Sequence, residues 1–364
     1  MKVPADHSQL EAKLANVLSS YASRSDTSAV QFALASPIHD WKWEWVPLMS
    51  LQQYFIASTT KLFVTAIVMQ LCHEQELELD TAAGRYLEPS IMAGIHTLRG
   101  LDSSDRITVR QLLSHTSGIA DYFEQRRADG RSQFQDALKE DFAWSFEDVL
   151  RITKQQLKPK FAPSSPGKAF YSDTNYQILG ALIESVTGGT FEEAVQKRVI
   201  GPLGLTGTYP FTAQTLGRYT EVAPMLYGKV PVTIPKAMAS VRADGGIVST
   251  ARDCLTFLQA FMNGAMFPVS YTHQLQLEWR RIFPPLEYGM GIMRFALPRY
   301  FSPLRPAPPM VGHSGASGAV LFYVPDLDLY ISGTVNQIKK RSLSYNVLVR
   351  LVFACQDSWR RTRR

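Results

Sequence analysis

Ser58 and Lys61 stand three residues apart and are the residues of this sequence best placed to do chemistry together. The apolar run from Leu62 to Leu71 follows them and predicts a buried helix. Because an α-helix turns once in 3.6 residues, both side chains would share one face, with the serine at the helix N-terminus. A neutral hydroxyl is a poor nucleophile without a base, and a lysine whose pKa is lowered by burial can serve as one. The spacing therefore predicts acyl transfer through Ser58.

The same spacing occurs a second time, at Ser165 and Lys168. Pro166 and Gly167 lie between these two residues, so no helix would hold them on one face, and a loop is predicted. For the first pair a simpler interpretation also exists. Ser58 would be a helix N-cap, and Lys61 would lay its stem over apolar surface. The four residues alone do not decide between the two interpretations.

Composition narrows the class of protein. The chain has 364 residues, 45% of them hydrophobic, which predicts one or two domains with a sizeable core. No apolar run reaches the roughly 18 residues of a membrane span. The net charge of +6 owes much to arginines at the end of the chain, without the interleaved aromatic residues of a nucleic-acid site. We therefore expect neither a membrane span nor a nucleic-acid partner.

No cofactor or metal is expected either. Cys72, Cys254 and Cys355 are scattered without metal or redox spacing, the histidines form no ligand set, and no glycine-rich phosphate loop is present. The N-terminal residues have no apolar segment behind their charges, which favours a cytoplasmic protein. An exported protein whose signal peptide has been removed is the alternative.

The coarse element pattern places helices and strands in a distinct order. A helix is expected over residues 8–22 and again over 251–262 and about 342–359, with strands at 28–35, 41–46, 288–295, 319–324 and 329–335. We predict an α/β (α+β) fold in which N- and C-terminal segments build one antiparallel sheet flanked by helices. Residues 1–73 and 233–364 would form this discontinuous domain. Residues 74–232 would form a mostly helical domain, with the active site in the cleft between the two.

Two further stretches agree with the first: Tyr171-Ser172-Asp173-Thr174-Asn175-Tyr176, and Gly312 to Gly318, which reads Gly-His-Ser-Gly-Ala-Ser-Gly. Together the three resemble the serine hydrolases related to class C β-lactamases and penicillin-binding proteins. That group includes D-alanyl-D-alanine carboxypeptidases, D-aminopeptidases and lactamase-like esterases. Supporting phrases occur in the expected order at 112–118, 202–205, 245–250 and 288–291. The resemblance thus spans most of the chain and implies a β-lactamase/transpeptidase-like fold.

The resemblance implies a role for each matching residue. Ser58 would be the nucleophile, with Lys61 holding its proton network and Tyr171 acting as general base and acid beside this ammonium. The backbone N–H groups of Ser58 and Ala316 would form the oxyanion hole. The residues expected to contact substrate are Asp173, His313, Ser314 and Gly315. His115, in the 112–118 phrase, is interpreted as a histidine that fixes a loop.

Two departures from the family pattern bear on the substrate. His313 stands where class C β-lactamases have a lysine, and Asp173 stands where the family often has asparagine. Both changes weaken the attraction for anionic β-lactams, so small uncharged esters or amides are the expected substrates. The alternatives are a β-lactamase, or a D-alanyl-D-alanine carboxypeptidase or D-aminopeptidase in which Arg294 could read a substrate carboxylate.

Two other hypotheses start from the same residues. The stretch Gly312-His313-Ser314-Gly315-Ala316 half-matches the nucleophile elbow of α/β-hydrolases, with Ser314 as nucleophile, but it lacks the final glycine. A catalytically silent binding protein with the same fold is the non-enzyme alternative. Sequence alone does not show that Lys61 and Tyr171 meet Ser58.

Overall fold

The computed structural model describes residues 7–47, 52–298 and 306–361. Residues 1–6 and the arginines at 363 and 364, which entered the arguments on localisation and charge, lie outside the described residues. The helices in chain order are α1 Ser8–Ala22, α2 Thr60–His73, α3 Pro89–Met92, α4 Val109–Leu113, α5 Gln133–Lys139, α6 Phe146–Arg151, α7 Asp173–Thr187, α8 Phe191–Val195, α9 Gly201–Leu203, α10 Pro235–Ser240, α11 Arg242–Gly245, α12 Ala251–Asn263, α13 Val269–Gln274 and α14 Ser342–Arg361.

The strands are short, and many of them come late in the chain. They are β1 Gln31–Ser36, β2 Trp41–Trp45, β3 Tyr54–Phe55, β4 Thr97–Leu98, β5 Leu101–Asp102, β6 Tyr209–Pro210, β7 Met225–Tyr227, β8 Val230–Val232, β9 Ile247–Ser249, β10 Arg280–Phe283, β11 Leu286–Tyr288, β12 Met293–Phe295, β13 Met310–Ser314, β14 Ala319–Val324 and β15 Leu329–Thr334.

One eight-stranded antiparallel sheet organises the molecule, in the order β10-β11-β12-β13-β14-β15-β1-β2. The two ends of the chain meet in its interior, where β1 pairs with β15 in a register that sets Gln31 opposite Thr334. Both strands are buried along their whole length. The predicted fold class, one antiparallel sheet built from N- and C-terminal segments, is therefore confirmed.

Helices cover both faces of this sheet. The two terminal helices, α1 and α14, pack on each other and share an apolar cluster with one face of the sheet. Helix α12 packs on the other face, against β1, β14 and β15. Helix α2 belongs to the cluster on that second face, so the residues before α2 come to lie beside the sheet.

The apolar sequence of α2 explains its central place. Residues 60–69 are all buried, including Lys61. A helix that is apolar on nearly every side gains most by packing on all sides, and α2 contacts α7, α8 and α11 as well as the sheet. The sequence predicts this burial correctly.

Residues 74–232 contribute no strand to the large sheet. They form helices α3 to α9 and short two- or three-stranded ladders. One apolar cluster lies largely within this part and extends to α10 and Val241, and to Phe55, Val248 and Ile338. The division into a discontinuous sheet domain and a helical domain stays a prediction.

In the large sheet one expected strand is divided, and strands β10 and β13 were not predicted. The segment expected as one strand at 288–295 is interrupted by Gly289-Met290-Gly291, and Gly291 takes a φ of +76°. A Cβ at Gly291 would lie 2.3 Å from Thr65 Oγ1, so the interruption lets this turn approach α2 closely. Strand β10 was missed because it lies at the edge of the sheet and alternates between exposed and half-buried residues.

Within the described residues, no helix is long and apolar enough to cross a membrane.

Candidate active site

Ser58 lies in a short 3₁₀ turn, Ala57–Thr59, that leads into α2. Ala57, directly before it, has a φ of 45°, a left-handed conformation that costs free energy for a residue with a side chain. Thr59 Oγ1 donates to Ile56 O at 2.6 Å and fixes the turn. Ser58 faces a cavity and does not cap the helix, because the cap position is occupied by Thr59.

Lys61 is completely buried, which rules out a lysine that lies over the surface. Its Nζ donates to Ser58 Oγ at 3.2 Å and to the backbone oxygen of Asp244 at 2.6 Å, and it lies 2.7 Å from Asp173 Oδ1. The carbonyl and carboxylate oxygens can only accept hydrogen bonds, whereas Ser58 Oγ can donate or accept. The geometry alone therefore fits either a lysine ammonium or a neutral amine that accepts from Ser58.

Electrostatics decide between these two states. Burial by itself lowers the pKa of Lys61, but the negative charge of Asp173, the largest of the opposing effects, helps to raise that pKa above its usual range. Burial alone therefore does not bring this lysine to neutrality. Lys61 is an ammonium at pH 7, and the free base has to come from another group.

Tyr171 comes from the loop before α7 and lies on the other side of Ser58. Its ring centre is 5.1 Å from Lys61 Nζ, and its hydroxyl lies near Ser58 and Lys61. Burial raises the pKa of Tyr171 and Asp173 adds to this, so the opposing effect of the Lys61 ammonium is outweighed. At pH 7 the protonated phenol thus predominates, and the role of Tyr171 as general base stays a prediction.

His115 fixes the segment that carries Tyr171. This buried ring accepts from the Ser172 backbone N–H at 3.2 Å through Nδ1, and Asn175 Nδ2 lies 3.1 Å from the same atom. Its ring centre is 4.3 Å from that of Tyr171. Burial, assisted by the positive charge of Lys61, lowers the pKa of His115 well below its usual value, so the ring is neutral and acts as a structural acceptor. Residues 112–118 thus help to hold residues 171–176, and with them Tyr171, in place.

Asp173 is the centre of a group of three buried carboxylates that also includes Asp121 and Asp244. Asp121 Oδ1 accepts from the Asp173 backbone N–H at 2.9 Å, and Asp244 Oδ2 accepts from the Tyr122 hydroxyl at 2.8 Å. Burial and the charge of Asp173 raise the pKa of Asp121 to about 7 and raise that of Asp244 well above its usual value. Sequence reasoning missed Asp121 and Asp244. Asp121 lies three residues after the 112–118 phrase and Asp244 directly before the 245–250 phrase, both of which were quoted only as support.

The third stretch approaches Ser58 at the end of β13. A Cβ added to Gly315 would lie 2.3 Å from the backbone oxygen of Ile56, so only glycine allows this contact. Ser317 Oγ donates to Phe55 O at 2.7 Å and fastens the two segments together. Ser58 and Ala316, the two residues expected to form the oxyanion hole, both line the same cavity as a result.

His313 is placed differently from expectation. Its ring is fully buried, with Nε2 3.0 Å from the Tyr288 hydroxyl and Nδ1 2.8 Å from the backbone oxygen of Ser314. Successive strand residues point to opposite faces, and Ser314 is the one that lines the cavity. Burial and the nearby Lys61 lower the pKa of His313 to about 3. This neutral ring is buried behind the residues that line the cavity. The predicted contact of His313 with the substrate is therefore not supported.

The cavity in front of Ser58 has a volume of about 740 Å³. Tyr171, Asp173, Ser314 and Gly315 line it together with Ser58 and Ala316. Most other lining side chains are apolar, and they belong to the two clusters on either side of the site. A cavity of this size and lining is typical of small-molecule sites in proteins.

Charged side chains occur at the mouth of the cavity. Arg341, just before α14, forms an ion pair with Glu124, and both residues line the cavity. Sequence reasoning missed this arginine and suggested Arg294 instead. Arg294 pairs with Glu287 and lies 4.7 Å above the Trp279 ring, away from the cavity lining.

The rival motifs do not assemble a comparable site. Ser165 and Lys168 lie in a loop, as predicted, and neither lines the cavity. Ser314 is followed by a turn and strand β14, whereas a nucleophile elbow leads from a strand into a helix. The Ser314 hydroxyl hydrogen-bonds with that of Tyr345 and has no base beside it. The elbow hypothesis is therefore rejected.

A family model described as beta-lactamase matches residues 46–351, which include every residue discussed above as part of the site. The chain belongs to the beta-lactamase family. This family member is 32% identical over 216 residues to penicillin-binding protein 4 of Amycolatopsis lactamdurans, covering 58% of this chain and 51% of that protein. It spans about half the length of the curated relatives it matches.

Solved structures show the same fold. A D-amino acid amidase from Ochrobactrum anthropi SV3, in complex with L-phenylalanine amide, superposes with a TM-score of 0.75 at 20% identity, over 96% of this chain and 99% of that one. EstCE1, described as a hydrolase with promiscuous acyltransferase activity, gives a TM-score of 0.73 at 19% identity, over 95% and 98%. At these identities the likeness establishes the beta-lactamase-type fold alone.

Proposed function

We propose that the protein is a serine hydrolase that forms an acyl-enzyme at Ser58 with small ester or amide substrates. One observation carries the proposal: Ser58, Lys61 and Tyr171, from two separate elements, converge on one point of a cavity wall. A family relationship to hydrolases adds support.

In the proposed reaction, the ionised fraction of Tyr171, which is small at pH 7 and grows as the pH rises, removes the proton of Ser58 as Oγ attacks the substrate carbonyl carbon. The carbonyl oxygen becomes an oxyanion between the N–H groups of Ser58 and Ala316. Collapse of the tetrahedral intermediate breaks the bond to the leaving group, which takes the proton from Tyr171. A water molecule then attacks the acyl-enzyme and gives up its proton by the same route, which releases the acid and restores Ser58.

The proposed part of Lys61 is to hold this arrangement. Its ammonium donates to Ser58 Oγ while Asp173 and the Asp244 carbonyl hold it in place. A fixed positive charge beside Tyr171 also favours the phenolate while it exists. Lys61 therefore lowers the free energy of the ionised state without being the base itself.

An amidase or peptidase acting on substrates with a free amino group is the second candidate. Asp121 and Asp173 line the cavity close to Ser58, and carboxylates attract an ammonium group. A β-lactamase or D-alanyl-D-alanine carboxypeptidase is a third. Arg341 supplies a cation at the mouth, but its ion pair with Glu124 weakens its attraction for an anionic substrate.

The experiment that tests the proposal is intact mass spectrometry after incubation with a fluorophosphonate and, separately, with penicillin. We expect one fluorophosphonate adduct on the wild type and on Ser314→Ala, and none on Ser58→Ala. Labelling of Ser58→Ala but not of Ser314→Ala would assign the nucleophile to Ser314. The absence of any adduct on the folded wild type would favour a catalytically silent binding protein.

A further inference from the structure

One wall of the cavity is made by a single apolar cluster. Its members that face the cavity include Phe123, Phe134, Trp144, Ile234, Ala237 and Met238. The rings of Phe123 and Phe134 lie 5.4 Å apart, and those of Phe123 and Trp144 lie 6.2 Å apart. We call these six residues the apolar lobe. Their packing makes the wall continuous rather than a set of isolated contacts.

The apolar lobe begins beside the nucleophile. Its cluster includes Phe55, three residues before Ser58, and Val241, three residues before Asp244, whose carbonyl holds Lys61. Because Ser58 and the lobe also line the same cavity, a group attached to the carbonyl carbon at Ser58 can reach the lobe.

Tyr171 decides which part of a substrate points into the lobe. Tyr171 packs against the opposite cluster, with its ring 5.8 Å from that of Phe283. Phe283 is 50% exposed, so this side of the cavity is open to solvent. In the proposed reaction Tyr171 protonates the leaving group, which must then lie on this open side. The acyl group is left on the side of the apolar lobe.

The charge that contacts the lobe is already paired. The Arg341 guanidinium lies 5.9 Å from the Phe134 ring and is ion-paired with Glu124. Two other cations that line the cavity, Arg126 and Lys160, are exposed to solvent. The lobe residues themselves carry no charge. An uncharged acyl chain therefore suits the lobe best, because a charged one would lose its hydration there without a partner among the lobe residues.

We propose that the protein selects esters or amides with extended or aromatic uncharged acyl groups, which bind in the apolar lobe. This inference rests on the proposed acyl-enzyme function and adds the substrate class. It narrows the small substrates of the proposed function to those with an acyl group larger than acetyl, because an acetyl group would fill only a minor part of a cavity of about 740 Å³.

The test is the specificity constant for p-nitrophenyl esters from acetate to octanoate, in which only the acyl chain changes. Burying one methylene is worth about 0.8 kcal/mol, which is about 4-fold in kcat/KM at 25 °C. We expect kcat/KM to rise by about that factor per methylene through hexanoate. A constant or falling kcat/KM over this series would overturn the inference.

A matched pair of variants tests the location of the acyl group. Ala237→Leu adds volume to the lobe, whereas Ala239→Leu makes the same change on the same helix, α10, at a residue that packs on the cluster without lining the cavity. We expect the hexanoate-to-acetate ratio of kcat/KM to fall about 10-fold in Ala237→Leu and to stay unchanged in Ala239→Leu. Met238→Ala, which enlarges the lobe, should move the largest kcat/KM to longer chains.

The outcomes separate this inference from the proposed function. One outcome is that Ser58→Ala abolishes turnover while Ala237→Leu and Met238→Ala keep the chain-length profile of the wild type. In that case the acyl-enzyme proposal is supported and the assignment of the acyl group to the lobe fails. If no ester is turned over and Ser58 takes no label, the proposed function fails. Circular dichroism of each variant shows whether a loss of activity reflects unfolding.

Discussion

The ammonium of Lys61 lies 2.7 Å from the carboxylate of Asp173, in a place where less than a tenth of either side chain reaches solvent. Lys61 comes from α2 and Asp173 opens α7, so this ion pair joins the two helices at the floor of the site. Breaking a buried pair by removing one partner commonly costs 3–5 kcal/mol, because a charge is left without compensation. The pair therefore has consequences for both stability and chemistry.

The first prediction concerns stability. Lys61→Met should lower the free energy of unfolding by about 3–5 kcal/mol, since Asp173 would be left unpaired in the interior. Adding Asp173→Asn to Lys61→Met should recover a large part of this loss. Urea denaturation of the wild type, both single variants and the double variant measures the coupling. Additive losses would show that the two residues do not stabilise each other.

The second prediction concerns the pH dependence of turnover. Tyr171 can accept a proton only as the phenolate, and its pKa is raised by burial. The fraction of phenolate, and with it kcat/KM, should rise about 10-fold per pH unit from pH 7 to 9.5. Asp173→Asn removes a negative charge that raises the pKa of Tyr171, so the rise should move to lower pH. Asp173→Glu keeps the charge and serves as the control.

A pH-independent kcat/KM between pH 7 and 9.5 in the wild type would contradict this role of Tyr171. Tyr171→Phe tests the same role directly, and it should lower the rate by about 10³-fold or more, because groups that act as one unit are each essential.

The third prediction concerns Gly315. Gly315→Ala should lower kcat by about 10²- to 10³-fold, the usual cost of losing an oxyanion-hole donor. The physical reason is the 2.3 Å approach of an added Cβ to the Ile56 backbone oxygen, which would push Ala316 away from Ser58. Gly217→Ala is a suitable control, because a Cβ there meets no atom within 4 Å. Steady-state kinetics with one ester substrate compare the two, and equal activities would refute the oxyanion-hole assignment.

The fourth prediction concerns the charge of the substrate. With a pKa of about 3, His313 stays neutral from pH 5.5 to 8, whereas Asp121, which lines the cavity and has a pKa of about 7, changes its charge in that range. In Asp121→Asn the ratio of nitrocefin to ester turnover should therefore not change over that range. Arg341→Gln should lower this ratio, whereas Glu124→Gln, which frees Arg341, should raise it, each by roughly 2- to 5-fold for a partly exposed charge. In Asp121→Asn, a ratio that rises below pH 6.5 would show that His313 faces the cavity.

Much of the site could be predicted from the sequence, because the patterns that indicate it lie within short stretches of the chain. The helical spacing of Ser58 and Lys61, the apolar run of α2, and the phrases around Tyr171 and Gly315 each fix a short segment whatever surrounds it. The same holds for the helices at Ser8–Ala22 and Ala251–Asn263, whose bounds the periodicity predicts within a residue. Edge strand β10 was missed because exposed edges carry no such pattern.

Protonation states were decided only by the tertiary structure. The pKa of Lys61 depends on Asp173, which stands 112 residues further along the chain, and on how deeply both are buried. No short sequence pattern reveals the distance between Lys61 and Asp173 or how deeply they are buried. His313 shows the same limit, since a one-residue alternation along β13 turns its ring behind the wall and leaves Ser314 in the cavity. Spacing selects which residues can meet, whereas the distances and burial that set their charges arise from contacts between remote parts of the chain.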